Sequence, residues 1–488
     1  MLLMHMKREV NSMGYKTIIG LEIHSELMTK SKIFCTCTTE FGGEANTHCC
    51  PICLGLPGSL PVINKKVVEY GIKAGLAFNS KIARVTKMDR KNYFYPDLVK
   101  GYQISQYDMP LCDGGFIEIE TEEGTKKIRL TRIHIEEDTG KSIHSEDGGS
   151  LLDYNRGGVP LIEIVSEPDM NSPEEAKAFL EKLKATLRYI EVSDCKMEEG
   201  SLRCDININV VDEETGKRTS ITELKNLNSF KAAVKAMYYE QERHIALLKE
   251  GKDTRRETRR WDEIKNKTIV MRVKEAVSDY RYFPEPDLVR MDIGEKWIED
   301  IKRNLPELPQ AKKERFMRDY GIPEYDAGVL TQTKELARYF EETVKYSHDA
   351  KQVSNWMMGD VLRSIKEAEL EIEDIKFSPK DLAELITLIN DGKISNNIGK
   401  TVLKDMFDSG KSPSIIVKEK GLVQISDEGA LKEIVEKVID KNQQSVIDYK
   451  NGKDRALGFL VGQVMKETRG KANPQLVNKL VVEMIQER

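Results

Sequence analysis

Thr17-Ile18-Ile19-Gly20-Leu21-Glu22-Ile23-His24-Ser25-Glu26 is the stretch on which the fold turns. Its β-branched residues and two-residue alternation read as a strand, and successive side chains of a strand point to opposite faces. Glu22, His24 and Glu26 therefore share one face. A strand polar on one side belongs to an antiparallel sheet packed on one face only.

Further strands lie outward from this one. Phe116–Glu120, a turn at Glu123-Gly124, and Lys127–Ile135 read as a hairpin, and so do Cys204–Val211, Glu213–Gly216 and Thr219–Leu224. On the first strand of the second hairpin, Arg203, Asp205, Asn207 and Asn209 face one way and Ile206 and Ile208 the other. Ser172, Pro173 and Glu175 spell a helix start with a capping box. Ala176, Phe179, Leu180, Leu183, Leu187 and Ile190 continue it at the 3.6-residue period. Residues 14 to about 300 are thus α+β. Beyond 300 the hairpin signals stop. Segments 307–347, 351–370, 378–392 and 395–408 carry helical periodicity, as does a further set from about 413 to 488 broken at Gly452 and at Gly470–Pro474.

At 488 residues the chain is too long for one core, so two or three domains are expected. With 39% hydrophobic and 32% charged residues, it is neither collagen-like, of low complexity nor largely disordered. No run approaches the length of apolar residues that spans a bilayer, and Met1–Ser12 lacks the apolar core of a signal peptide. The net charge of −5 argues against a uniformly basic surface, while 411–488 has three more basic than acidic residues. A solvated helical surface and a polyanion partner explain that excess equally well.

Five of the eight cysteines fall between positions 35 and 53. With no secretory signal, a disulfide framework is not expected. Cys35 and Cys37, then Cys50 and Cys53, present two close thiolate pairs suited to a closed, structural Zn²⁺ site, with His48 and Cys49 as substitutes for Cys50. Structural zinc contributes on the order of 10–16 kcal/mol, enough to hold a loop with little core of its own. Cys112, Cys195 and Cys204 are isolated and read as core residues.

Carboxylates gather in three places: Glu22/Glu26, Glu136-Glu137-Asp138, and Glu198 to Asp205, with Glu223 and Lys225 on the partner strand. A single polar strand face is ordinarily just solvated. Several strands presenting carboxylates beside Arg or Lys form a floor suited to Mg²⁺ and phosphates. Gly140-Lys141-Ser142 and Gly410-Lys411-Ser412 are not P-loops, because the glycine needed five positions earlier is Ile135 or Asp405. No dinucleotide fingerprint, nucleophile elbow or amidase Gly-Ser-Ser run occurs, so amide hydrolysis belongs to another chain. Two aromatic-basic stretches, Asp89–Tyr107 and Asp279–Asp287, suit an unpaired nucleotide end or a Tyr-rich strand packed under a loop.

These motifs occur in the order of one family. Gly20-Leu21-Glu22-Ile23-His24, the cysteine pairs with Leu54-Gly55-Leu56-Pro57-Gly58, Asp89–Pro96, His134–Lys141, Pro160–Pro168 and Lys196–Asp205 resemble the B subunit of the glutamyl/aspartyl-tRNA amidotransferase. Glu223–Ser229, Asp279–Pro286, Asn355–Gly359 and Ala472–Gln475 continue the likeness from Met13 to the C-terminus. The resemblance implies a cytoplasmic heterotrimer in translation. Its A subunit, an amidase, releases ammonia from glutamine, and a small C subunit wraps the pair. The B subunit uses ATP and Mg²⁺ to phosphorylate the side-chain carboxylate of misacylated Glu-tRNA(Gln) or Asp-tRNA(Asn), and ammonia displaces the phosphate.

The implied architecture is an N-terminal extension (1–13), a kinase cradle on an antiparallel sheet (14–300) with a zinc loop (35–53), a helical domain (301–410) and a small helical tail contacting tRNA (411–488). Carried over by resemblance, Glu22, His24, Glu137, Asp205 and Glu223 are the Mg²⁺ ligands. Glu137, Lys141, Arg203 and Lys91 are the catalytic candidates, Arg203 and Lys225 the nucleotide-binding ones, and Cys35, Cys37, Cys50 and Cys53 the Zn²⁺ ligands. The chain leaves no room for the extra domain of the related archaeal protein, which favours the three-subunit enzyme. The rival readings are a non-catalytic, zinc-stapled tRNA platform, which the carboxylate floor argues against, and a free-standing aminoacyl-tRNA ligase, whose nucleotide signature is missing.

Overall fold

The computed structural model describes residues 14–144, 148–273, 279–422, 428–468 and 472–487, so the 1–13 extension lies outside the described residues. The chain forms two compact units, Met1–Leu308 and Pro309–Arg488.

The first unit is built on a ten-stranded sheet. In chain order its strands are β1 (Tyr15–Glu26), β2 (Lys81–Ile82), β3 (Cys112–Asp113), β4 (Phe116–Thr121), β5 (Gly124–Glu137), β6 (Pro160–Ser166), β7 (Leu202–Asp212), β8 (Thr222–Lys225), β9 (Glu257–Asp262) and β10 (Lys267–Val273). Their spatial order is β10-β9-β8-β7-β1-β6-β5-β3-β2, with β4 paired to β5. Only β8–β9 is parallel. Strand β1, which carries Glu22, His24 and Glu26, lies inside the sheet between β7 and β6. Both hairpins form, β4/β5 and β7/β8.

The period-2 pattern sorts the two faces. Ile19, Leu21, Ile23, Ile133, Ile135, Ile162, Ile164, Ile206 and Ile208 are essentially inaccessible. They share one core with the helices Lys65–Ala77, Pro173–Tyr189 and Phe230–Lys249. The helix Lys65–Ala77 is pressed so close that a Cβ on Gly75 would lie 2.5 Å from Cys112 Sγ and 2.7 Å from Ile82 Cδ1. The helix Pro173–Tyr189 starts where expected, with Ser172 Oγ accepting from Glu175 N at 3.1 Å. The return half of the capping box differs. Glu175 accepts from Asn171 N at 2.7 Å, one residue further out, because Lys126 Nζ holds the same carboxylate at 2.8 Å.

A three-stranded sheet, Phe283–Pro284, Asp89–Asn92 and Tyr102–Ser105, joins the two aromatic-basic stretches across nearly 200 positions of sequence.

The second unit contains no β-strand among the described residues. The expected helical run 307–347 is divided into Pro309–Tyr320, Glu324–Leu330 and Lys334–Ser347, with breaks at Pro323 and Thr333, each the residue just before a helix start. Segment 351–370 contains a π-helical turn, Met357–Val361. Two apolar cores form. One runs from Phe316 to Val417, the other from Leu431 to Ile485.

Candidate functional site

The face of the sheet turned away from the main core carries the polar residues. Register across β7, β1, β6 and β5 sets Arg203, His24, Glu163 and His134 side by side. Strand alternation puts Glu136 on the same face as His134. His24 Nε2 lies 3.4 Å from Glu136 Oε1 and 3.5 Å from Glu163 Oε2. One ligand atom from each of His24, Glu136 and Glu163 lies within 4.8 Å of the other two, a group that can hold a metal ion. His134 Nε2 approaches Glu163 Oε2 at 3.2 Å and orients it.

The electrostatics of this cluster are coupled. Burial disfavours charge on His24, but Glu163 and then Glu136 outweigh it and raise the imidazole to about 9. His134 is raised by the same two carboxylates against the same burial. Burial works against ionised Glu163 as well, yet His134 and His24 hold it well below the usual carboxylate range. A divalent cation would take over the charge pairing that the imidazolium provides.

Acidic groups continue along β1 in both directions. Glu22 accepts from Asn207 Nδ2 at 3.0 Å, and burial with the neighbouring Glu163 and Asp205 raises its carboxyl. Lys225 bonds Asp205 and lies 3.5 Å from Glu223, which also accepts from Thr258 Oγ1 at 2.7 Å. At the other end Arg203 Nη2 meets Asp138 Oδ2 at 2.7 Å. Burial and that neighbouring Asp138 push Glu26 up to about 8. Lys91 forms no ion pair among the described residues. Burial opposes its charge, but Glu136 holds its ammonium protonated.

The sequence-predicted residues are therefore only partly gathered. His24, Glu22, Asp205, Glu223, Arg203 and Lys225 lie on the floor, and Lys91 is held in its charged form by the floor carboxylate Glu136. Glu137 does not join the His24 group. It follows Glu136 on a strand and turns to the other side, where Lys100 Nζ and Ile104 N, at 2.9 Å, engage its Oε1. Lys141 lies on a separate hairpin, Lys141–His144 with Ser150–Asp153, and is exposed. The sequence reading did not single out Glu163 and His134, and the structure sets Glu136 rather than Glu137 beside His24. The signals were present: Glu163 is the one charge in Leu161-Ile162-Glu163-Ile164-Val165, and His134 and Glu136 are two apart.

The cysteine loop is a second, separate group. One Sγ from each of Cys35, Cys37, Cys50 and Cys53 lies within 4.8 Å of the others. Four soft donors brought together by a turn, with Leu54 N on Cys50 O at 3.0 Å and Cys50 N donating to Cys53 Sγ at 3.1 Å, fit a metal ion such as zinc. Hydrogen bonding from Cys35, opposed by burial, brings the Cys53 thiol down to about 4. Burial raises Cys37 to about 11. Cys49 lies outside the group, with its Sγ 3.9 Å from Asn155 Oδ1, and His48 is likewise outside.

An aromatic wall completes the unit. Tyr107 and Tyr282 stack at 4.4 Å with 9° between ring planes, and Tyr280 lies 5.9 Å from Tyr93. Lys91 Nζ lies 5.1 Å from the Tyr280 ring centre. Arg90 grips Glu285 through Nε at 2.7 Å and Nη2 at 2.9 Å, which ties the two stretches together.

The unit that carries the carboxylate–histidine floor and the four-cysteine loop matches, over residues 17–299, the family model described as the GatB/GatE catalytic domain. Residues 338–485 match the model described as the GatB domain. The chain belongs to the family of aspartyl/glutamyl-tRNA(Asn/Gln) amidotransferase B subunits, and so is part of an enzyme of the ligase class. The B subunit of that name from Clostridium botulinum (strain Langeland / NCTC 10281 / Type F) is 61% identical over 472 residues, covering 96% of this chain and 99% of its own. That from Clostridium tetani (strain Massachusetts / E88) is 60% identical over 474 residues, covering 97% and 99%. No helix among the described residues is long and apolar enough to cross a membrane.

Proposed function

We propose that this chain transfers the γ-phosphoryl group of ATP to the side-chain carboxylate of Glu on tRNA(Gln) or Asp on tRNA(Asn). The observation that supports this most is the His24–Glu136–Glu163 group, set in a floor of carboxylates with Lys91 and Arg203 beside it. A carboxylate is a poor electrophile, and phosphorylation gives it a leaving group. One carboxylate oxygen bonds phosphorus as the bond to ADP breaks. Ammonia from a partner amidase then attacks the carbonyl carbon, and inorganic phosphate leaves with the C–O bond.

Mg²⁺ held by His24, Glu136 and Glu163 would neutralise phosphate charge. Glu22, Asp205 and Glu223 lie on the same floor and extend its negative surface. Lys91, near Glu136 but in no ion pair among the described residues, is placed to meet the transferring phosphoryl oxygens, and Arg203 and Lys225 to bind the nucleotide. The rings at Tyr107, Tyr280 and Tyr282 offer stacking faces to the unpaired end of the tRNA. The tail, 411–488, takes the tRNA body, and Cys35, Cys37, Cys50 and Cys53 bind structural zinc. An amidase and a small third protein, the A and C members of the complex, complete a cytoplasmic heterotrimer.

The test is tRNA-dependent ADP formation in the reconstituted complex. Glu136→Gln and Glu163→Gln are expected to lower it by roughly a hundredfold or more, while glutamine hydrolysis by the partner continues. Glu137→Gln is measured alongside, and an equal loss there would return Glu137 to the ligand set. Undiminished ADP formation in all three variants would leave this chain as a zinc-stapled tRNA platform.

A further inference from the structure

Lys32 is a fully buried lysine, 0% exposed. Its ammonium has two partners, the Tyr154 carbonyl at 3.3 Å and Cys53 Sγ at 3.8 Å, and no carboxylate among the described residues pairs with it. Neighbouring lysines are treated differently. Lys100, which lines the same cavity, is matched by Glu137, and the buried Lys87 is matched by Asp89 and Asp108. A carbonyl alone does not repay the desolvation of an ammonium. The missing anion is therefore to be sought at the other partner, the sulfur.

The local backbone is shaped to bring the two together. Gly158, at φ +83, leaves room for both, since a Cβ there would lie 3.5 Å from Lys32 Cδ, 3.6 Å from Cys53 Cβ and 4.0 Å from Oε2 of Glu137, the carboxylate that Lys100 already engages. Lys32 N donates to Cys37 O at 2.9 Å, so its backbone is also tied to the first cysteine pair. Four thiolates around one divalent ion leave a net negative centre, which a cation in contact with one of the sulfurs offsets.

We propose that Lys32 is the counter-ion of the four-cysteine centre, a positioning residue that stabilises the metal-loaded form by neutralising its excess charge at Cys53. This rests on the reading of those cysteines as a metal site. It accounts for a buried cation that forms no ion pair with a carboxylate among the described residues, Glu137 in the same cavity being bonded to Lys100.

The test uses the full-length chain in its complex, with Zn²⁺ as the probe. Zinc content is measured by mass spectrometry, and affinity by competition with a chromophoric chelator. Lys32→Met, which keeps the length and removes the charge, is expected to weaken zinc binding roughly tenfold or more. Lys32→Gln keeps a donor for the Tyr154 carbonyl and should weaken binding similarly if charge is what matters. Thermal melting supplies a readout that a merely structural role would not move. Lys32→Met should melt below wild type when both carry zinc, and the difference should shrink clearly when both are stripped, because only the metal-loaded centre carries the excess charge of four thiolates. Zinc affinity unchanged in Lys32→Met, retained in Lys32→Gln alone, or a melting point lowered equally in both metal states would each overturn the proposal. A wild-type chain without stoichiometric zinc would instead remove the metal site itself, and the counter-ion role with it.

Discussion

At the scale of single residues, one position of chain decides which carboxylate meets the histidine. Glu136 and Glu137 are chemically equivalent, but a strand sends them to opposite sides, one to His24 and the other to Lys100. Divalent-ion affinity should register this difference. With Mn²⁺ as a spectroscopic probe, Glu136→Gln should abolish tight binding, while Glu137→Gln should leave it within about threefold of wild type. His134→Gln removes the group that orients Glu163 and should weaken binding roughly 10–100-fold without removing a ligand. The face assignments on β1 and β7 were legible from alternation alone, because each strand is regular and its apolar residues are uninterrupted. Glu163 stands out as the one charge of its strand, but its place beside His24 was not legible, since only pairing to β1 brings the two together. Lys141 is close in sequence to Glu137, but the chain turns into a separate hairpin between them, and nothing in the local pattern announces that turn. The cysteines were legible in full, because two short-range pairs need little from the rest of the fold to meet.

At the scale of elements, the helices depend on how they seat against the sheet. In the helix Lys65–Ala77, Gly75→Ala would gain about 1 kcal/mol of helix propensity. The new methyl meets Cys112 Sγ and Ile82 Cδ1 far inside contact distance, and overpacking costs about 1–3 kcal/mol. The clash wins, so urea unfolding should show net destabilisation of about 1 kcal/mol. A stabilised Gly75→Ala would mean that the helix can lift off the sheet at little cost. The helix Phe230–Lys249 is tied to the β9/β10 edge through Glu240, which is 0% exposed and bonded by Arg243, Thr268, Arg259 and His244. Against the cost of burial, those partners, His244 foremost, pull its carboxyl from 4.5 to about 2. The folded value lies below the unfolded one, so the stabilisation is complete above about pH 4.5 and is lost as pH falls through about 2. The drop is worth roughly 3 kcal/mol at most. The stability gap between wild type and Glu240→Gln should therefore narrow from pH 5 to pH 2, and a gap constant over that range would rule out this linkage. Hairpins and capped helices were readable because turn and cap chemistry is local. The joining of Asp89–Asn92 with Phe283–Pro284 was not, because it pairs segments far apart in sequence.

At the scale of the whole molecule, the described residues form three apolar cores in two compact units, one in Met1–Leu308 and two in Pro309–Arg488. Separate cores unfold with separate cooperativity. Calorimetry of the full chain should resolve more than one transition, with a van't Hoff enthalpy clearly below the calorimetric one. A single transition with equal enthalpies would show that the units melt as one. The change near residue 300 was legible as a shift of hydrophobic period. The finer split of the helical half into two cores was less so, since helices of either core carry the same pattern. The position of β1 also bears on synthesis. It leaves the ribosome well before its partners β6 and β7, which end at Ser166 and Asp212. At about 5–20 residues per second, β1 waits roughly 10–40 s before both of its edges are closed. Throughout that interval the unpaired backbone of β1, with Ile19, Leu21 and Ile23 uncovered on one face, is an open, sticky edge on the nascent chain, a natural target for ribosome-associated chaperones and a liability wherever translation stalls before β7 is made.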